Sequence, residues 1–101
     1  MRSIRAVAGF DWDAGNIEKC REHGVSVDEI ESLFRGAPRI APDVKHSAKE
    51  DRLLAIGTGT TGRVLFVAFV FREVEGAMCI RPISARHMHR KEVEKYEEES
   101  P

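Results

Sequence analysis

From Val64 to Phe71 the chain is apolar at every position, rich in β-branched and aromatic residues, with Gly62-Arg63 and Arg72 as its borders. An unbroken run of that length and composition predicts a strand buried on both faces, hence the centre of a sheet. A second strand is predicted from Met78 to Ala85, where Pro82 lacks the N–H a ladder needs and so marks a sheet edge or a bulge. Leu53-Leu54-Ala55-Ile56 predicts a third. Gly57 to Gly62 joins it to the central strand as a flexible hairpin connection, and Glu73-Val74-Glu75-Gly76 joins the central strand to the next.

Before the sheet the polar and apolar positions change period. Ile4 to Phe10 predicts a short first strand that exits through Asp11-Trp12-Asp13. Asn16 is placed to cap a helix that runs to about His23, with Gly24 supplying the positive φ that ends it. Ser26 and Glu29 form an S-x-x-E capping box, Val25 and Ile30 occupy the staple positions, and Ile30, Leu33 and Phe34 share one face of a second helix. Gly36 and Pro38 stop it near Arg35. Residues 38–51 read as an irregular polar loop, a kind of segment that often carries function. Ser84 is placed to cap a last helix, whose thin apolar stripe is His89, Val93 and Tyr96 and whose end, Glu97-Glu98-Glu99, is all charge. The order predicts an α+β layout with helices against one face of a twisted sheet.

The chain has 101 residues, which predicts one domain, residues 1–101, with one modest core. With 42% hydrophobic and 33% charged residues it suits a water-soluble protein, the apolar runs are too short to span a bilayer, and the N-terminus lacks a signal-peptide core; a cytoplasmic location is expected. Cys20 and Cys79 fall in a helix and a strand and predict reduced thiols. The formal charge of −1 hides a segregation. Residues 38–91 carry ten basic against five acidic groups, whereas residues 92–101 carry one against five. A basic patch in the sheet half therefore attracts phosphate at short range whatever the total charge.

Several motifs invite chemistry and fall short of it. Cys20 with His23, and His87 with His89, suggest zinc, but zinc requires four convergent ligands and an i, i+2 pair on a helix diverges. The glycines of Gly57 to Gly62 join two strands and open no helix, unlike a phosphate loop. Glu50-Asp51 are neighbours facing opposite ways. No nucleophile elbow is present. What remains is His46 on the loop, Arg52 at the start of one strand, Arg63 and Arg72 at the ends of the next, and Arg81 and Arg86 in and after the third. Guanidinium groups match phosphate oxygens two at a time, although the same arginines would equally build a folded-state ion-pair network. RNA carries its own nucleophile in the 2′-hydroxyl, so a small fold that neutralises charge on phosphorus and moves protons can cleave it without metal. Arginine does the first and histidine the second, with Tyr96 or Lys45 as weaker substitutes at neutral pH.

Phe10-Asp11-Trp12-Asp13, His23-Gly24-Val25-Ser26, Asp43 with His46-Ser47, Glu50-Asp51-Arg52 to Ile56-Gly57, Gly62-Arg63-Val64-Leu65, and Ile83-Ser84-Ala85-Arg86 before Glu92 and Tyr96 together resemble the BrnT family of toxins from type II toxin–antitoxin operons. The resemblance covers nearly the whole chain. It implies a RelE-like α+β fold, a small antiparallel sheet packed by two N-terminal helices with a C-terminal helix. It also implies metal-independent endoribonuclease activity without a cofactor, and neutralisation by a BrnA-like antitoxin carrying a ribbon-helix-helix domain. DNA would be met only through that antitoxin, a membrane not at all, and the antitoxin domain's own dimerisation implies a 2:2 complex. By match of motif, His46, Arg52, Arg63, Arg72 and Arg86 fall at family-like polar positions; the chemistry of the side chains, not the match, assigns His46, Arg63 and Arg86 to catalysis and Lys45, Arg52, Arg72 and Arg81 to RNA phosphate. Glu22 stands where the family often has lysine, and Pro82 interrupts an isoleucine-rich strand; either departure would weaken catalysis. A second reading follows, in which the chain is a catalytically weak module that holds the antitoxin and tunes operator binding.

Overall fold

The computed structural model describes residues 7–43, 45 and 51–99. Their elements run β1 (Gly9–Phe10), α1 (Ala14–Arg21), α2 (Val27–Arg35), β2 (Arg39–Pro42), β3 (Leu53–Thr58), β4 (Val64–Val74), β5 (Ala77–His87) and α3 (Arg90–Glu99). The strands form one sheet in the order β1-β5-β4-β3-β2.

The α+β class, a short first strand and the antiparallel β3-β4-β5 meander agree with the sequence reading; the pairing of β1, the presence of β2 and the place of α3, on the sheet face opposite α1 and α2, do not. The sheet is mixed, because β1 pairs parallel with β5 at Gly9↔Cys79 and Phe10↔Ile80. β2 arises inside the stretch read as irregular and pairs antiparallel with β3 from Arg39↔Ile56 to Pro42↔Leu53. Its Pro42 is tolerated because β2 is an edge. Pro82 sits at a bulge: Ala68 pairs with Ser84 and Phe69 with Pro82, so Ile83 is an extra residue in β5. Ser84 therefore lies within a strand and caps nothing, and α3 starts at Arg90.

Helix boundaries follow from their caps. Asp13, not Asn16, is the N-cap of α1; its carboxylate accepts the Asn16 N–H at 2.9 Å while the Asn16 side chain accepts the Asp13 N–H at 2.8 Å. The Asn16 amide then donates to the carbonyls of Asp11 and Pro82, tying the start of α1 to the β5 bulge. Gly24 has φ +75° and turns the chain from α1 into α2.

Paired residues share a face, so the register sorts the side chains. Ala55, Leu65, Val67, Phe69, Ile80 and Ala85 form the inner face, buried with Cys20, Val25, Ile30, Leu33 and Phe34 of the helical layer. Phe10, Phe34, Phe69 and Phe71 run through this core with successive ring centroids 5.8, 5.0 and 5.6 Å apart. The outer face carries Val70 and Arg81 as one pair, Leu54, Ala68 and Ser84 as the next row, and Arg39, Ile56, Phe66 and Arg86 as a row across all of β2 to β5. α3 spans that last row: Glu92 pairs with Arg86, and the Arg39 guanidinium lies 5.3 Å from the Tyr96 ring centroid. The described thiols are free, and burial pushes the Cys20 thiol up to about 11, so it is no ready metal ligand.

Candidate nucleic-acid interface

The central strand decides which arginines meet. Arg63 and Arg72 stand at its opposite ends, nine residues and about 30 Å apart. The seven residues singled out from sequence therefore do not form one cluster. Arg52, Arg72 and Arg81 gather at one end with Lys19 and Asp13, around a concavity of about 650 Å³ with Val70 on its floor. Arg52 precedes β3 by one residue, its carbonyl accepting the Asp43 N–H at 2.9 Å, and continuation of the register sets it opposite Val70 as Arg81 is on the other side. Arg72 follows Val70 by two residues on the same face. Lys19, which sequence reasoning did not single out, reaches the same hollow from α1.

Charge in this hollow is partly balanced from within. Arg81 donates to Asp11 at 3.3 Å and to Asp13 at 2.8 Å. The Asp13 carboxyl is held below its usual range, first by the Asn16 N–H and then by Arg81, while Arg81 is raised above its own by Asp13. Arg81 thus anchors the N-terminus of α1 against β5 as well as facing the concavity. Its carboxylate partners stand 68 and 70 residues away in the chain, and no local pattern signals them.

The other end is organised differently. Both terminal nitrogens of Arg86 donate to Glu92, each at 2.8 Å, and the guanidinium stacks 4.1 Å from the Phe66 ring centroid. Arg86 holds the Glu92 carboxyl down to about 2, helped by the His89 N–H. Arg63 is exposed on the β3–β4 turn, off the outer face. On the inner side of this end, His87 Nε2 and the Thr61 hydroxyl both meet one oxygen of Glu29, each at 2.8 Å, with Glu29 buried. Sequence reasoning assigned Glu29 to a capping box and weighed His87 as a helical metal ligand. The Ser26 hydroxyl does accept the Glu29 N–H at 3.1 Å, but the Glu29 carboxylate turns inward to His87 at the end of a strand. Of the remaining expected site residues, Lys45 is exposed and His46 lies outside the described residues.

An arginine-lined hollow on a small sheet has the chemistry to meet a phosphate backbone. The family model for the ribonuclease toxin BrnT of type II toxin–antitoxin systems matches residues 12–92. The chain belongs to the BrnT family. Among curated proteins, none matches the chain. The BrnT match runs from Trp12 to Glu92 and so takes in every arginine of the outer face. Membership in a type II family of ribonuclease toxins implies an antitoxin partner. Among the described residues, no helix is long and apolar enough to cross a membrane.

Proposed function

We propose that this BrnT protein is a metal-independent endoribonuclease with a RelE-like fold that lays RNA along the outer face of its sheet. The observation that carries the reading is the concavity where Lys19, Arg52, Arg72 and Arg81 face one another. An RNA phosphate seated there meets Arg52 and Arg72 while Arg81, held by Asp11 and Asp13, fixes the wall formed by α1. The 2′-oxygen attacks phosphorus as the bond from phosphorus to the 5′-oxygen breaks, leaving a 2′,3′-cyclic phosphate and a 5′-hydroxyl. One proton leaves the 2′-hydroxyl and one reaches the departing 5′-oxygen. His46, in the segment that leads into Arg52, is the residue proposed to move them, with Lys45 beside it as a further phosphate contact. Arg86 lies on the same face and serves an adjacent part of the RNA; Arg63 meets RNA only where the strand passes the far end of the sheet.

The partner proposed is a BrnA-like ribbon-helix-helix antitoxin whose acidic segment covers the arginine face in a 2:2 complex, DNA being bound through the antitoxin alone and the RNA being cytoplasmic. One observation favours the second reading, a weakly catalytic binding module: Arg81 and Arg86 are already occupied by carboxylates. Cleavage of RNA by the purified protein decides between them. Arg52→Ala and Arg72→Ala should each lower the rate by about 100-fold while the fold is kept, in line with removal of one preorganised donor to a developing anion. Wild-type rates in both variants overturn the phosphate seat, and intact RNA with normal growth on induction of folded toxin establishes the binding module.

A further inference from the structure

Arg86 and Glu92 are bound through two parallel N–H···O contacts of 2.8 Å, the fork geometry that arginine also makes with phosphate. The pair is not sealed in, since the side chains are 34% and 37% exposed, and ion pairs that open to water contribute little to stability. Phe66 backs the guanidinium at 4.1 Å and keeps it on the outer face, the face that holds the concavity. α3, which brings Glu92, is otherwise held to the sheet by Tyr96 against Arg39. Its further exposed side chains include Glu94, Glu97 and Glu98 beside Arg90, Lys91 and Lys95, and the helix sequence as a whole is net acidic.

We infer that Arg86, backed by Phe66, is a second phosphate subsite for RNA, about 13 Å along the outer face from the first, and that the Glu92 carboxylate occupies it until an RNA phosphate displaces it. Phe66 and Val70 are four residues apart on one strand, which sets that separation. The inference rests on the RNA reading above and adds a length requirement: a strand of several nucleotides spans both subsites, and a dinucleotide engages only one. It also gives Glu92 a role beyond docking α3, as the internal anion that a substrate must replace.

The test uses fluorescent 2′-O-methyl oligonucleotides, which lack the nucleophile and are bound without being cut. Glu92→Gln should bind a hexanucleotide about fivefold more tightly than the wild type, and a dinucleotide unchanged. Arg86→Ala should cancel that gain in the double variant. Glu97→Gln removes the same charge from α3 and should leave affinity where it was. A gain that persists without Arg86, or that Glu97→Gln reproduces, overturns the subsite, as does an unchanged or weaker Glu92→Gln. The wild-type chain offers an independent measurement: the Glu92 carboxyl carbon resonance should shift on saturation with the hexanucleotide, and a resonance that stays in place counts against the proposal. Failure of the RNA reading itself looks different. In that case Arg52→Ala and Arg72→Ala bind the hexanucleotide as the wild type does, whatever Glu92→Gln shows.

Discussion

Glu29 is a buried acidic side chain beneath the β3–β4 turn, one of its oxygens shared between His87 and Thr61. A buried carboxylate is stable only while those partners remain, so removal leaves an imidazole and a hydroxyl unmatched in a space that water reaches poorly. Glu29→Ala should therefore destabilise the protein by roughly 1–3 kcal/mol, read as a shift of the urea midpoint. Gly59 is bound to the same arrangement, because a Cβ there would stand 2.5 Å from the Glu29 Cγ and 3.2 Å from the Leu65 side chain. Gly59→Ala should cost about 1–3 kcal/mol through overpacking, and a midpoint equal to the wild type would show that the turn yields freely. The carboxylate of Glu92 is tied in a different way. Its folded value of about 2 lies below the ordinary 4.5, so its contribution is present above about pH 4.5 and is lost as the pH falls toward 2. Because the pair is open to water, thermal melts of wild type and Glu92→Gln should differ only slightly above pH 4.5 and converge as the pH falls toward 2, and a difference that grows on acidification would contradict the pair.

At the scale of elements, the turn from β4 to β5 consists of Glu75 at φ 50° and Gly76 at φ 82°. Two successive positive φ values define a type I′ hairpin, for which glutamate is a poor first residue and asparagine a good one. Glu75→Asn should stabilise the protein by about 0.5–1 kcal/mol in chemical denaturation, and no gain would show that the strand ends compensate. The central strand was legible in the sequence because burial on both faces demands an unbroken apolar run, and α2 because its staple and stop signals are local. β1 was legible as a short strand ending at Phe10, but its parallel pairing with β5 was not, and neither was β2, whose four residues are too short to show a period and are held by the ladder of β3. The Glu29 carboxylate was misassigned because a capping-box pattern and a buried contact to β5 begin from the same residue type. The arginines were visible as candidates, but their sorting into two ends of the sheet, and the acidic partners of Arg81, depend on register and on contacts far apart in the chain.

Across the whole molecule, a net charge of −1 coexists with an outer sheet face on which Arg52, Arg72, Arg81 and Arg86 all stand. Arg81 is paired with Asp11 and Asp13, and Arg86 with Glu92, so the field of this face is partly offset from within the protein. Binding of single-stranded RNA to such a face releases condensed counterions, and the slope of log K against log salt measures how many phosphates are neutralised, at about 0.7 per contact. With Lys19, Arg52 and Arg72 engaged, the slope should be roughly −2, and Arg72→Ala should reduce its magnitude by about 0.7. Arg21→Ala is the control, since Arg21 lies exposed on α1 beside Glu18 and does not line the concavity. If Arg21→Ala and Arg72→Ala flatten the slope equally, the RNA is attracted by diffuse charge and not by a seat built on the sheet.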